Sequence, residues 1–123
     1  MKYYYEGQLI RTSKTHHYTH ACVVKKDEKW VTLGCSGTKA GAEKVKNEKI
    51  NSYLNSIDGY ERQIKAIDEG KSGYHSKKNG FVRLSETYYK TDRDARVKAI
   101  EEIRQTIKRI QESWMIVELS EEA

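Results

Sequence analysis

Two isoleucine-rich seams, one in the middle and one near the end of the chain, constrain the fold more than any other sequence feature. In each seam, large apolar residues alternate at spacings of three and four, the period of a helix that packs along one stripe. The members are Ile50, Tyr53, Ile57, Tyr60, Ile64 and Ile67 in the first seam and Ile100, Ile103, Ile107, Ile110 and Trp114 in the second. We therefore predict two long helices that pack as an antiparallel pair.

Capping residues at the ends of the seams set the predicted limits of the two helices. The first helix is predicted to open at Ser36-Gly37-Thr38 and to stop at Gly70, where glycine permits a left-handed cap. The second is predicted to begin at Thr91 and to run to about Ser113, because Thr91 and Asp94 have the spacing of a capping box.

The first 35 residues and the last few have the composition and alternation of strands. The predicted strands are residues 2–5, 8–13, 18–25, 30–35 and 114–119. The first two are predicted to form a hairpin around Glu6-Gly7, and the next two a hairpin around a turn near Asp27. Residues 70–80 are expected to form a flexible basic loop, and residues 81–90 an extended segment.

The hairpin turns also predict which residues share a face. Around Glu6-Gly7, Tyr3 is predicted to pair with Ile10, with Arg11 on the opposite face. In the second hairpin, one predicted face holds Ala21, Val23, Val31 and Leu33, and the other holds His20, Cys22, Val24, Trp30 and Thr32. Since both faces are partly apolar, a ligand or a second subunit is expected over part of the second one.

The two cysteines are expected to act as small buried hydrophobic residues. The predicted register places Cys22 opposite Thr32 and Cys35 opposite Thr19, so no disulfide between them is expected.

Together these patterns predict an α+β fold in which an antiparallel sheet of four to five strands packs on a pair of long helices. The sheet would contain the N-terminal hairpins and the C-terminal strand. A chain of 123 residues is expected to form a single domain, residues 1–123. No window of about 20 apolar residues and no apolar segment typical of a secretory signal is found, so a cytoplasmic location and no membrane partner are expected.

The formal net charge of +5 points to phosphate-bearing partners. The 23 Lys and Arg residues are offset by 18 Asp and Glu residues scattered through the same segments. A specific phosphate pocket therefore fits these numbers as well as a long basic groove does.

The segment 11–20 has the densest set of anion-binding groups in the chain. It supplies the bidentate guanidinium of Arg11, several hydroxyl donors and the backbone amides of a turn. An ordinary polar turn with a solvated arginine explains the same residues. The candidate ligand-binding residues in this segment are Arg11, Thr12, Ser13, Tyr18 and His20.

Three further candidates lie outside that segment. A nucleobase can stack on Phe81 while Arg83 binds its phosphate, although core packing explains Phe81 equally well. Arg109 borders the seam residue Ile110 and is therefore the helical cation best placed to point into a pocket or an interface.

Catalysis and metal binding find weaker support. His17-Tyr18-Thr19 matches one half of a two-histidine phosphoesterase site, but the segment that follows His75 lacks the second hydroxyl. His16 and His20 lie roughly 13 Å apart on an extended segment at ~3.3 Å per residue, too far for one zinc ion. We predict no catalytic residue, no metal ligand and no cofactor.

The N-terminal sequence YYYEGQLIRTSKTHHYTHA, the long helices and the closing WMIVEL resemble the Thoeris anti-defence family of phage proteins, the first type described. The resemblance implies a non-enzymatic homo-oligomer that sequesters cyclic ADP-ribose signals of bacterial immune enzymes without cleaving them. Some members of the family also take up cyclic oligonucleotides. The resemblance further implies that the protein acts in the cytoplasm of an infected bacterial cell.

Two other functions remain open at the level of sequence. One is a nucleic-acid or ribonucleoprotein binding inhibitor of a bacterial nuclease defence system. The other is a phosphodiester hydrolase.

Overall fold

The computed structural model describes residues 1–69, 73–76, 80–83 and 86–122, with side chains described for residues 1–69 and 91–122. The elements are β1 (Lys2–Tyr5), β2 (Gln8–Thr12), β3 (His20–Lys26), β4 (Lys29–Ser36), α1 (Lys39–Asp68), β5 (Gly73–Ser76), β6 (Gly80–Arg83), α2 (Glu86–Ser113), β7 (Trp114–Glu118) and β8 (Ser120–Glu122). The α+β class with antiparallel sheets and two helices is confirmed. Neither described helix is long and apolar enough to cross a membrane.

The chain divides into two compact units. The first contains Met1–Asn51 and Ile107–Ala123, and the second contains Ser52–Thr106. The first unit thus holds strands β1 to β4, β7 and β8, with the start of α1 and the end of α2. The second holds the rest of the two helices and the β5–β6 hairpin.

The strands of the first unit form two three-stranded sheets, in the orders β2-β1-β8 and β4-β3-β7, where one sheet of four to five strands was predicted. The difference arises at Leu119, where the C-terminal strand leaves one sheet and continues into the other. The Leu119 N–H donates to the Thr19 carbonyl at 2.8 Å as the chain crosses. The predicted strand 114–119 therefore corresponds to β7, and its continuation, β8, supplies an edge to the other sheet.

Side chains connect the other edges of these two sheets. The Gln8 amide donates to the Trp30 carbonyl at 2.7 Å, and the Trp30 N–H donates to Gln8 Oε1 at 2.8 Å. The Thr32 hydroxyl donates to the Ile10 carbonyl at 3.4 Å.

A hydrophobic cluster lies in the first unit. Its buried members are Ala21, Val23 and Val117, and the partly buried residues packed against them are Tyr5, Ile10, Trp30, Cys35 and Leu119.

A β-bulge changes the register of the first hairpin. Tyr4 pairs with Leu9, but Tyr3 pairs with Arg11 and not with Ile10 as predicted, because the register shifts between Tyr3 and Tyr4. Arg11 consequently shares the face of Tyr3, which is the reverse of the predicted assignment.

The second hairpin turns through Asp27 and Glu28, both at positive φ (50° and 65°), which moves the register by one residue from the prediction. Thr32 now pairs with Val23, and Trp30 packs on the core cluster. The predicted faces of β4 were therefore wrong, since a one-residue slip exchanges the two faces of a strand.

A further register shift between Cys22 and Val23 moves the cysteines two residues from their predicted partners. Cys22 pairs with Gly34 and Cys35 with Ala21. Both are free cysteines, and the burial predicted for Cys22 is confirmed. A Cβ atom added to Gly34 would lie 2.8 Å from a methyl group of Val45 in α1, so this face of the sheet is covered by the helix near Gly34.

Helix α1 begins after Thr38, whose hydroxyl accepts the Gly41 N–H at 3.0 Å as an N-cap. Helix α2 begins at Glu86, five residues before the predicted Thr91, because residues 86–90 contain no Gly or Pro to stop it. Within the second unit the helices run antiparallel, as predicted: Arg93 bonds Asp68 near the end of α1, and Arg104, further along α2, bonds Glu61, about two turns earlier in α1.

The predicted loop at residues 70–80 contains the strand β5, so this part of the prediction was wrong. Its remaining residues, 70–72 and 77–79, lie outside the described residues. The extended conformation predicted for residues 81–90 is confirmed for residues 81–83 in β6, which pairs with β5, and is wrong for residues 86–90, which belong to α2.

Candidate functional site

The segment 13–19, which joins β2 to β3, is fixed by hydrogen bonds to strand β1 and to Met1, the residue before it. The Tyr3 hydroxyl donates to the His16 carbonyl at 3.1 Å, and the Met1 ammonium donates to the Ser13 carbonyl at 2.8 Å. Within the segment, the His16 N–H donates to Ser13 Oγ at 2.9 Å. These bonds hold a stretch that has no strand ladder of its own.

Aromatic rings and one guanidinium gather around Tyr18. The Tyr3 ring meets it edge-on at 5.4 Å, and the His16 ring stacks on it at 5.9 Å with an interplanar angle of 7°. Arg11 Cζ lies 5.4 Å from the centre of the Tyr18 ring. We call these residues, together with Ser13, the Arg11–Tyr18 cluster.

Arg11 differs from most other arginines in its charge environment. Of the six arginines with described side chains, four form salt bridges: Arg62 with Asp58, Arg93 with Asp68, Arg96 with Asp92 and Arg104 with Glu61. Among the described side chains, Arg11 and Arg109 have no such carboxylate partner. An exposed guanidinium of this kind is available to bind an anion.

The cluster contains three of the predicted ligand-binding residues: Arg11, Ser13 and Tyr18. Thr12 is exposed and follows Arg11 in β2, so its side chain points to the opposite face. His20 begins β3, half-buried, with its Nδ1 2.7 Å from the Thr19 hydroxyl. The structure thus brings together part of the predicted set.

The remaining predicted residues lie on other elements. Arg109 is exposed on α2 within the first unit, and no described hydrogen bond or ring contact joins it to the cluster. Phe81 and Arg83 belong to β6 in the second unit, and their side chains lie outside the described ones.

Sequence reasoning missed the contributions of Tyr3 and His16 to this cluster. The pairing of Tyr3 with Arg11 depends on the bulge, which has no local sequence signature. The stacking of His16 depends on the fold of an irregular segment. The near repetition of rings at positions 16, 17 and 18 was the one available signal.

Sequence reasoning also missed an open cleft of about 600 Å³ between the two hairpin turns, lined by Glu6, Gly7, Gln8, Lys25, Glu28, Lys29 and Trp30. The Trp30 indole N–H donates to Glu6 at 3.2 Å, and the Lys25 ammonium lies 5.5 Å from the ring centre. Two lysines and two glutamates balance in this lining, so the cleft has no formal preference for an anion. The Arg11–Tyr18 cluster, whose guanidinium has no carboxylate partner among the described side chains, is the better candidate for an anion site.

The histidines of the first unit are engaged by neighbouring side chains. His16 Nδ1 lies 3.0 Å from the Thr15 hydroxyl, and His17 Nδ1 lies 3.6 Å from a Glu121 carboxylate oxygen. Within the described residues, no three His, Cys, Asp or Glu side chains are placed to hold a metal ion.

Comparisons with known proteins find nothing to which this chain can be assigned. No family model matches it, and neither the curated proteins nor the solved structures contain a match. The resemblance to the Thoeris anti-defence family stays a prediction from the sequence, and a function must be argued from the site.

Proposed function

We propose that this protein binds a nucleotide-derived anion of the cyclic ADP-ribose type and sequesters it without cleaving it. The observation that carries the proposal is the Arg11 guanidinium, exposed, without a carboxylate partner among the described side chains, and held over the Tyr18 ring. The sequence resemblance supplies the ligand class. On this proposal the protein acts as an anti-defence protein in the cytoplasm of an infected bacterial cell.

The energetics favour recruitment of Arg11 by a phosphate. A cation–π contact at an exposed site stabilises by about 0.5–1 kcal/mol. Each hydrogen bond between a charged donor and its acceptor contributes about 1.5–3 kcal/mol, and a guanidinium can make two to one pyrophosphate. A bound anion therefore outcompetes the Tyr18 face for Arg11, and leaves that face free to contact a base.

The other groups of the cluster complement such a ligand. The Ser13 hydroxyl accepts the His16 N–H and keeps its own hydrogen for a phosphate or ribose oxygen. The parallel rings of His16 and Tyr18 offer planar surfaces on which adenine can stack. Charge, hydroxyl donors and a planar surface thus occur in one segment.

Retention without cleavage is supported by the sequence, because His17 alone among the four histidines is followed two residues later by a threonine or serine. Two-histidine hydrolysis needs a pair of such motifs whose imidazoles converge on one phosphorus. We further propose that the protein assembles as a homodimer or a larger homo-oligomer.

Calorimetric titration with cyclic ADP-ribose tests the proposal. The matched variants are Arg11→Ala and Arg62→Ala, because Arg62 is also exposed but forms a salt bridge with Asp58. Binding by the unmodified protein and by Arg62→Ala, with loss in Arg11→Ala, is expected. Equal binding by all three proteins would remove the cluster from the site, and no binding by any would contradict the ligand class.

The net charge of +5 is also compatible with one alternative function, a nucleic-acid binding inhibitor. Affinity for a short RNA or DNA that falls steeply with salt, combined with no affinity for cyclic ADP-ribose, would favour that alternative. Sequestration of a small anion predicts a shallow salt dependence, because only one or two phosphates are neutralised.

A further inference from the structure

We infer that Tyr3 is the positioning residue of the Arg11–Tyr18 cluster: its buried hydroxyl and ring fix the segment that carries Ser13, His16 and Tyr18 against Arg11. The inference rests on the proposed function and names a residue that contacts no ligand itself. It acts through the residues that would.

The hydroxyl of Tyr3 provides the first support. Tyr3 is 0% exposed and is among the largest fully buried side chains of the described chain. A buried phenol hydroxyl needs a partner, and this one donates to the carbonyl of His16, thirteen residues along the chain. Strand β1 thereby fixes the middle of an irregular segment that no ladder holds.

The ring of Tyr3 provides the second support. It meets the Tyr18 ring edge-on at 5.4 Å and the His17 ring edge-on at 6.4 Å. One buried side chain therefore contacts three successive residues of the segment, through the His16 carbonyl and the two rings. Tyr3 also pairs with Arg11 across the β1–β2 ladder. Both parts of the proposed anion site thus depend on one position.

The chain offers a matched control two residues away. Tyr5 lies on the same strand and face as Tyr3, but its ring meets Trp30 edge-on at 5.1 Å, next to the open cleft. Tyr5→Phe removes a hydroxyl from the same strand without touching the segment 13–19. A general weakening of β1 would affect both variants alike, whereas a positioning role belongs to Tyr3 alone.

Two measurements on Tyr3→Phe, Tyr5→Phe and the unmodified protein test the inference. The first is amide hydrogen exchange at His16, whose N–H bonds Ser13 Oγ, and it needs no ligand. The second is the dissociation rate of cyclic ADP-ribose. We expect Tyr3→Phe to raise the His16 exchange rate and to speed dissociation by about tenfold, with little change in association. Tyr5→Phe should change neither.

The outcomes are separable. Unchanged exchange at His16 in Tyr3→Phe would overturn the positioning role, whatever the ligand. Faster exchange with an unchanged dissociation rate would also overturn it, because the segment would then be looser without consequence for binding. Failure of the unmodified protein to bind cyclic ADP-ribose would contradict the proposed function, while the exchange comparison would still decide whether Tyr3 orders the segment.

Discussion

The two compact units use arginine in different ways. In the second unit, each arginine with a described side chain is paired with a carboxylate: Arg62, Arg93, Arg96 and Arg104. In the first unit, Arg11 and Arg109 have no such partner among the described side chains. The same residue type thus connects helical residues in one unit and is left available for an anion in the other. Our proposal therefore rests on the placement of Arg11, exposed and over the Tyr18 ring, and not on its positive charge alone.

The largest expected effect that tests this contrast is on ligand affinity in Arg11→Ala. Losing two charge-assisted hydrogen bonds is expected to weaken cyclic ADP-ribose binding by about 100-fold. The free energy of unfolding should change little, because the exposed guanidinium has only one described contact, the Tyr18 ring. Titration calorimetry and thermal unfolding measure the two effects. A large loss of stability with normal affinity would show that Arg11 has a structural role, like the arginines of the second unit, and would contradict the contrast between the two units.

Arg109→Ala is expected to have a smaller effect on the same ligand. Arg109 is exposed in the same unit, has no carboxylate partner among the described side chains and has no described contact with the cluster, so we expect affinity to fall by at most about tenfold. Lys108→Ala, one residue earlier on α2 and also exposed, is the control for a general effect of charge. If both variants weaken binding equally, Arg109 contributes only to the general electrostatic potential of the surface and makes no specific contact with the ligand.

Arg96→Ala should show the converse pattern in the second unit. Arg96 is half-buried, bonds the Asp92 carboxylate and donates to Gln63 at 2.6 Å, so its loss leaves two polar groups without their partner. We expect the free energy of unfolding to fall by about 1 kcal/mol, with unchanged ligand affinity. Chemical denaturation and titration on the same preparation would show it. Weakened binding with normal stability would contradict a structural role.

The smallest expected effect concerns Cys22 in the apolar interior of the first unit. Burial raises the pKa of the Cys22 thiol above its ordinary value of 9.0, and nearby Lys46 only partly opposes this. Because the raised pKa favours the protonated thiol in the folded state, this contribution to stability is complete below pH 9.0 and declines as the pH rises above it. Stability of Cys22→Ala and the unmodified protein, compared from pH 7 to 10, should therefore differ in slope only above about pH 9. Parallel curves would contradict it.

Sequence reasoning predicted the helices well because a 3.6-residue repeat is a local property. The seam that contains Ile57 identified α1, and the seam that contains Ile107 identified α2. Five seam residues are buried: Ile57, Ile67, Ile100, Ile107 and Ile110. The bounds of β1 to β4 and β7 were also predicted to within about two residues, whereas β5 and β8 were not predicted. The start of α2 was missed because the Thr91 capping signal competed with five helix-compatible residues before it.

Register and sheet order escaped prediction because they depend on backbone details that the sequence does not mark. Neither the bulge opposite Tyr3 nor the positive φ angles of Asp27 and Glu28 involve a glycine. The division of the C-terminal strand between two sheets depends on Leu119 meeting Thr19, a pair a hundred residues apart. Each of these features is determined by tertiary contacts.

The candidate site was predicted in part for the same reason. Donor density identified Arg11, Ser13 and Tyr18, because these residues lie close in sequence. Tyr3 escaped because its partner His16 becomes a neighbour only after β1 and the segment 13–19 have packed. The ligand-binding role of Arg109 stays a prediction.

The most direct measurement is the identity of what the protein retains. The protein is mixed with cyclic ADP-ribose, separated from free ligand by gel filtration, heat-denatured, and the released material analysed by mass spectrometry. We expect intact cyclic ligand from the unmodified protein and almost none from Arg11→Ala. Linear ADP-ribose, or equal amounts of ligand from both proteins, would contradict it.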